Sequence, residues 1–314
     1  MTMTAEKGST MATVGVLCAR GRVEENALMA ALAEAGIVSA LFPPADEPLP
    51  VGPMSPSPTG RPFPVPQLVV DRHPIRQIAR AVLATCDALG VPALCAGIAA
   101  TGDRLDVASA LAAHGLPRPL TALCTSEEAA LETVAAMGLP ATLLPLDLKS
   151  TPIPLLDRDA AEAVVEHRAV LGGVAGSLGL IQAGSPATAN LVKVIVVDGA
   201  ASAIEVAHGT TVPDHALRLA EEAARALNAG LVALIIAFGS TEPVVWDARP
   251  VPNFRDAMPL ANLTVAQAIA EAVERRLATA VPGLPAERDR AWTRFSTRAQ
   301  QQEQGRRRDL VISA

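Results

Sequence analysis

The longest uninterrupted apolar run in this chain, Leu231–Phe238, has only the length of a strand. A helix that crosses a bilayer needs roughly 18 such residues in a row. A chain that is 50% hydrophobic, with mean hydropathy +0.31, must therefore bury its apolar surface within itself. Short apolar runs alternate with segments of helical period. Thr13–Ala19 reads as a strand, Val23–Ala35 as a helix stopped by Gly36, and Gln67–Val70 as a strand. Ile75–Leu89 reads as a helix stopped by Gly90, and Val91–Cys95 as a further strand. Strands separated by helices predict a parallel sheet covered by helices.

Between the first helix and Gln67 lies a stretch with prolines at 43, 44, 48, 50, 53, 56, 58, 62, 64 and 66. Such a segment lacks the N–H groups of a ladder, so it predicts an extended surface loop peripheral to the core. Thr101 and Asp103 can cap a helix over Leu105–His114. Gly115-Leu116 followed by Pro117 and Pro119 breaks the chain and marks a domain boundary.

Beyond the break come a strand (Leu120–Cys124), a helix capped at Ser126 (Glu127–Met137), a strand (Ala141–Leu146), a helix (Asp159–His167) and a strand (Leu178–Gln182). Val192–Val197 and Ala201–Val206 predict a hairpin around Asp198-Gly199. Asp214 caps a helix over His215–Asn228, and Leu231–Phe238 pairs with Val244–Asp247. Thr264–Ala278 is the last amphipathic helix. Residues 1–11 are polar and are expected to be disordered. Residues 279–314 read as a solvated tail ending in Arg306-Arg307-Arg308, whose removal should leave thermal unfolding nearly unchanged.

Charge and cysteine usage exclude some classes. With 26 basic and 32 acidic residues the net charge is −6, against a broad nucleic-acid surface. Cys18, Cys86, Cys95 and Cys124 lie in apolar segments without metal-type spacing and read as reduced core residues. No apolar h-region precedes the first strand. The expectation is a cytoplasmic chain, dimeric with itself, with no nucleic acid and no membrane among its partners.

Several segments carry a resemblance: "ALGVPAL" at Ala88–Leu94, "TGDRLDVASALAAHGLPRPLTAL" at Thr101–Leu123, "DRDAAEAVVEHRAVLGG" at Asp157–Gly173 and "LVKVIVVDG" at Leu191–Gly199. Their order and spacing resemble the ATP-grasp superfamily, in particular the RimK/LysX-type carboxylate–amine ligases. The resemblance implies an α/β architecture in pieces. These are an N-terminal parallel α/β domain over residues 12–100, a small central α+β subdomain over 101–182 and a C-terminal antiparallel subdomain over 183–278.

The positions that serve ATP and magnesium in that family differ here. The lysine of the helix-start motif is Arg104, and the lysine of the strand motif is Leu144 in Leu143-Leu144-Pro145. The glycine-rich phosphate loop corresponds to Leu146–Pro154, which has no glycine and two prolines. The adenine hinge reads Gln182-Ala183-Gly184-Ser185, without its acidic member. Of the later basic strand only Lys193 keeps a charge. Where the family places another arginine stands Val206-Ala207-His208, and the glycine- and asparagine-containing loop after it is missing. The metal-binding Asp is matched by Ile236, and the Glu-x-Asn motif by Asp247-Ala248-Arg249. Magnesium needs hard oxygen ligands, usually carboxylates and phosphates, so neither a metal nor a nucleotide cofactor is expected.

The charged residues left to line a cleft are Asp71, Arg72, His73, Arg104, Lys193, His208, Asp247 and Arg249. Arginine suits planar anions, which makes Arg72, Arg104 and Arg249, with Asp71 and Lys193, candidates to hold a substrate carboxylate. Asp247, His73 and His208 are the candidate general acids or bases. The alternative for Asp71-Arg72 and Asp247/Arg249 is plain ion pairing at strand ends. Two functions follow as expectations. One is an ATP-independent acid–base enzyme (cyclisation, elimination or isomerisation) on a small carboxylated intermediate of specialised metabolism. The other is a non-catalytic partner of a ligase, a carrier protein or a metabolite. An active ATP-dependent ligase is the third reading.

Overall fold

The computed structural model describes residues 13–43, 48–51, 65–176, 178–186, 190–239 and 242–279. Two compact units divide it: residues 1–94 with 266–314, and Cys95–Val265. The expected polar segment 1–11, most of the proline-rich stretch and the tail after Thr279 lie outside the described residues.

The first unit is built on a parallel sheet of order β2-β1-β3-β4. Its strands are β1 (Thr13–Leu17), β2 (Val38–Phe42), β3 (Leu68–Asp71) and β4 (Ala93–Leu94), with α1 (Val23–Glu34) and α2 (Arg76–Ala88) between them. Strands β1 and β3 are central, so both faces are covered and their apolar residues run consecutively. Val14, Val16, Leu17, Leu68, Val69 and Val70 are fully buried. Leu17, Phe42 and Val69 pack with Ala79, Val82 and Cys86 of α2.

Strand β2 has no counterpart in the sequence reading, which passed from the first helix straight to the prolines. The prolines correct that reading in a second way. Pro50 and Pro66 are buried, and Leu49 and Val65 pack against the same core, because apolar side chains are interleaved with the rings. The described ends of this stretch are thus part of the core rather than peripheral to it. The last helix, α7 (Val265–Thr279), belongs with this first unit rather than with the C-terminal subdomain. Its Arg276 guanidinium donates to the Ala93 carbonyl of β4.

The second unit holds two antiparallel sheets. One has the order β5-β8-β6-β7, from β5 (Thr121–Cys124), β6 (Ala141–Leu144), β7 (Ile153–Leu155) and β8 (Gly179–Ala183). Helices α4 (Glu127–Met137) and α5 (Arg158–Gly176) contribute Ala130, Val134, Ala161 and Val165 to a core with Leu143, Leu155 and Ile181. Ser126 caps α4 as expected, its hydroxyl accepting from the Ala129 N–H at 3.1 Å.

The other sheet has the order β12-β11-β9-β10-β13, from β9 (Asn190–Val197), β10 (Ala200–Val206), β11 (Leu231–Phe238), β12 (Val244–Arg249) and β13 (Met258–Pro259). Asp198 and Gly199 have φ of 50° and 86°, so the β9–β10 turn takes the left-handed conformation that an Asp-Gly pair favours. Helix α6 (Asp214–Ala226) lies on this sheet through Ala216, Leu219, Ala220, Ala223 and Ala224, all buried. Asp214 is its first residue rather than its cap, a position taken by Pro213.

The break at Gly115–Pro119 does not separate compact units, since the Pro117 carbonyl accepts from the Val245 N–H inside the second one at 2.8 Å. Before it, the short helix Gly97–Thr101 leads into α3 (Arg104–Ala113), which is capped by Asp103 accepting from the Leu105 N–H at 2.7 Å. Three of the cysteines are buried and Cys95 is partly so, and none of the four forms a disulfide among the described residues. Among the described residues no helix is long and apolar enough to cross a membrane.

Candidate functional site

The polar residues singled out from the sequence fall into two groups, one in each unit. In the first unit, Asp71, Arg72 and His73 follow β3 and are all buried. Asp71 and Arg72 are not each other's partners. Arg76, the first residue of α2, closes on Asp71 Oδ2 at 2.6 Å and donates to the His73 carbonyl at 2.7 Å. Arg72 turns instead to the start of α1, with Glu24 Oε2 at 3.3 Å and Glu25 Oε1 at 3.2 Å. Glu25 also accepts from the Arg22 N–H at 3.2 Å, which fixes the first turn of the helix. A substrate carboxylate at Arg72 would have to displace these glutamates. The His73 ring accepts from the Ile75 N–H through Nδ1 at 3.1 Å, which holds it in the β3–α2 turn.

In the second unit, Lys193 forms an ion pair with Glu205, opposite it on β10, and donates to the Asn253 carbonyl at 3.1 Å. His208 is exposed in the turn after β10. Neither joins the group that gathers around Asp247.

That group is Arg104, Asp247 and Arg249 with the loop after β6. Arg104 opens α3 and is 2% exposed. Its Nε donates to Asp247 Oδ1 and one terminal nitrogen to Oδ2, both at 3.2 Å. The remaining N–H groups reach the carbonyls of Pro145 at 2.5 Å, Asp147 at 2.7 Å and Ser150 at 2.8 Å. A guanidinium has five N–H donors, and all five are engaged.

Backbone bonds join the same parts: Arg104 N–H to the Leu146 carbonyl at 2.7 Å and Leu148 N–H to the Gly102 carbonyl at 2.8 Å. Arg249 adds Asp247 Oδ2 at 3.2 Å and the Leu148 carbonyl at 2.7 Å, while the Leu148 side chain is buried beneath. The carbonyls of residues 145, 146, 147, 148 and 150 are thus drawn to two arginines. Lys149 stays exposed, and only its backbone N–H is held, by Asp147.

Asp247 sits beside a β-bulge that its sequence does not announce. On β12, Asp247 pairs with Ile235 and Val245 with Ile236, so Trp246 is the extra residue. The residue sharing the face of Asp247 is therefore Ile235, not Ile236, which is fully buried on the other face. Either way an apolar side chain stands where a second carboxylate would be. Past the bulge, Asp247 and Arg249 share a face, as alternation along a strand requires.

Next to this group is a half-open recess of about 30 Å³. It is lined by residues of α3 and by Arg118, Thr121, Leu144, Leu180, Gln182 and Trp246. Arg118, Thr121 and Trp246 were not singled out from the sequence, although the first two lie in the segment Thr101–Leu123 that carries the resemblance and Trp246 directly precedes Asp247. Gly184 turns at φ +86° where the hinge meets the Trp246 ring, and a Cβ there would lie 3.2 Å from it. Only a residue without a side chain lets the indole lie so close to the end of β8.

The arrangement of one small antiparallel sheet, a second larger one and a parallel α/β unit has known counterparts. A RimK domain ATP-grasp protein from Sphaerobacter thermophilus is similar at TM-score 0.66 and 29% identity, over 84% of this chain and 100% of that one. The fold is that of the ATP-grasp proteins. An ATP-grasp ligase, PsnB, solved with a precursor peptide and AMPPNP, matches it at TM-score 0.61 and 16% identity, over 84% of this chain and 97% of that one. The D-alanine–D-alanine ligase of Bacillus anthracis, solved with ATP, matches at TM-score 0.62 and 14% identity, over 85% and 98%. No protein-family model matches the chain.

The loop after β6 stands where the resemblance to the ATP-grasp ligases leads to the expectation of a glycine-rich phosphate loop. A phosphate cradle needs N–H groups turned inward. Here carbonyl oxygens of the loop are turned toward Arg104 and Arg249 instead, and every donor of the Arg104 guanidinium is already taken. Asp247 is the carboxylate that Arg104 and Arg249 share, while that of Asp147 is turned within the loop to the Lys149 N–H and the Ser150 hydroxyl; no group of three His, Cys, Asp or Glu residues comes together among the described residues.

Proposed function

We propose that this is an ATP-grasp-fold protein that works without nucleotide or metal, binding a small carboxylated molecule rather than ligating it. The observation that carries this reading is Arg104: its five donors are consumed by Asp247 and by the loop that would otherwise close over a triphosphate. A triphosphate entering there would meet inward carbonyl oxygens and Asp247. To free Arg104 for it would strip a buried ion pair of one partner, a cost of about 3–5 kcal/mol.

Binding is favoured over acid–base catalysis by the state of the three candidate bases. Asp247 Oδ1 already accepts from Arg104 and from the Ala248 N–H, and Oδ2 from Arg104 and Arg249. His73 is buried with Nδ1 engaged, and His208 stands exposed and away from the Asp247 group. A general base must have a lone pair within reach of the proton it takes.

Calorimetric titration of the full chain with Mg-ATP tests the reading. The expected result is no binding at micromolar concentrations and no ADP release with amino-acid substrates. Micromolar binding, or ADP release with any of them, would return the chain to the ligases.

A further inference from the structure

The recess beside Arg104 holds an excess of donors. Arg118 lines it, and its guanidinium donates to the Ala108 carbonyl; no carboxylate pairs with it among the described residues. Partial burial, which costs the charged form its hydration, holds its proton affinity below that of an ordinary arginine. Trp246, 8% exposed, also lines the recess, and its indole N–H is buried without a hydrogen-bond partner.

Gln182, 3% exposed, makes only long contacts, 3.5 Å to the Trp246 carbonyl and 3.5 Å from the Thr121 hydroxyl. That hydroxyl spends its own proton more closely on the Pro119 carbonyl at 2.8 Å. A buried donor left unpaired forfeits its hydration without return, so the site is built for an acceptor that the chain does not supply.

The shape narrows the acceptor further. A volume of about 30 Å³ admits a group of two or three heavy atoms and is far below a nucleotide site. The other walls are Val107, Ala108, Leu111, Leu144, Leu180 and Val245. A tetrahedral phosphate would bury its remaining oxygens against these side chains without partners. A planar carboxylate can place its oxygens on Arg118, Gln182 and Trp246 and turn its carbon stem to the apolar wall.

We propose that this recess is a carboxylate-binding site, with Arg118 as the cation and the Trp246 N–H and Gln182 amide as the neutral donors, for the head of a short-chain organic acid. The inference rests on the reading of a nucleotide-free binding protein and names its ligand class.

The chain has no tyrosine and two tryptophans, Trp246 and Trp292. A Trp292→Phe protein therefore reports the recess by fluorescence alone. Titration of the full-length Trp292→Phe chain with acetate and propionate at constant ionic strength should shift Trp246 emission saturably. The half-point should be on the order of millimolar, as suits a few-atom ligand. Chloride and inorganic phosphate should leave the emission unchanged. Arg118→Gln should weaken the response at least ~10-fold, the worth of one charged hydrogen bond. Ala108→Leu, which narrows the recess and keeps Arg118, should abolish it, and decides the matter should Arg118→Gln fail to fold.

The proposal is overturned by the absence of saturable binding in both fluorescence and calorimetry, by a response that survives in folded Arg118→Gln or Ala108→Leu protein, or by an equal response to phosphate. Mg-ATP binding is measured separately, so a chain that binds neither acetate nor ATP sinks this inference and leaves the nucleotide-free reading standing.

Discussion

Replacing Arg104 with alanine is expected to lower the unfolding free energy by about 3–5 kcal/mol, the usual loss when one partner of a buried ion pair is removed. The substitution leaves Asp247, 6% exposed, with Arg249 alone, and strips the carbonyls of Pro145, Asp147 and Ser150 of their donors. Arg104→Lys keeps the charge but offers three donors from one point in place of five in a plane. It should recover only part of the loss.

Urea unfolding of parent, Arg104→Ala, Asp247→Asn and the double variant gives the coupling directly. Residues that share one network should show an interaction energy within about 0.5–3 kcal/mol rather than additive losses. If Arg104→Ala unfolds within 1 kcal/mol of the parent, the latch contributes nothing and the loop is free to open for a ligand.

The second large effect is expected at Gly97. Its φ is +56°, and a Cβ added there would stand 2.0 Å from the Leu227 carbonyl oxygen and 2.4 Å from that of Asn228. Both atoms belong to the backbone that ends α6, where the Ile98 N–H donates to the same Leu227 oxygen at 2.8 Å. Neither can retreat without breaking the turn, so Gly97→Ala should cost more than about 4 kcal/mol, the range reserved for named structural faults.

Gly36 supplies the control. Its φ is +73°, but a Cβ there meets nothing within 4 Å, so Gly36→Ala should cost only the left-handed penalty of about 1–2 kcal/mol. Equal shifts in the two melting curves would mean that the α6 turn yields, and that the close approach at Gly97 has no energetic weight.

Most of the elements were legible in the sequence because short-range patterns decide them. Gly36, Gly90, Ser126, Asp103 and the Asp198-Gly199 turn mark ends whose chemistry is local, and the strands and helices recognised between them fall within a few residues of expectation, except α5, which runs on to Gly176 instead of ending at His167. Strands β2 and β7 escaped because Val38–Phe42 and Ile153–Leu155 are short and sit against prolines, which read as loop until partner strands supply their bonds. The loss of glycine from the loop after β6, and of a carboxylate beside Asp247, was also visible, since residue identity alone excludes those roles.

What the sequence could not express is pairing across distance. Arg104 lies 143 residues from Asp247, and Arg72 lies 47 residues from Glu25. Neighbours in sequence suggested Asp71 with Arg72, but adjacent residues at a strand end point to opposite sides. Arg72 therefore meets α1, while Arg76 meets Asp71 from α2.

The bulge at Trp246 shifts the register by one residue, exchanges Ile236 for Ile235 beside Asp247, and makes Trp246 a wall of the recess that Arg118 also lines. A one-residue slip moves a side chain to the other face, and only the paired strands record it. Local chemistry thus determined most of the elements and their ends. Tertiary packing alone decided which charges neutralise each other and where an unpaired donor is left to wait for a ligand.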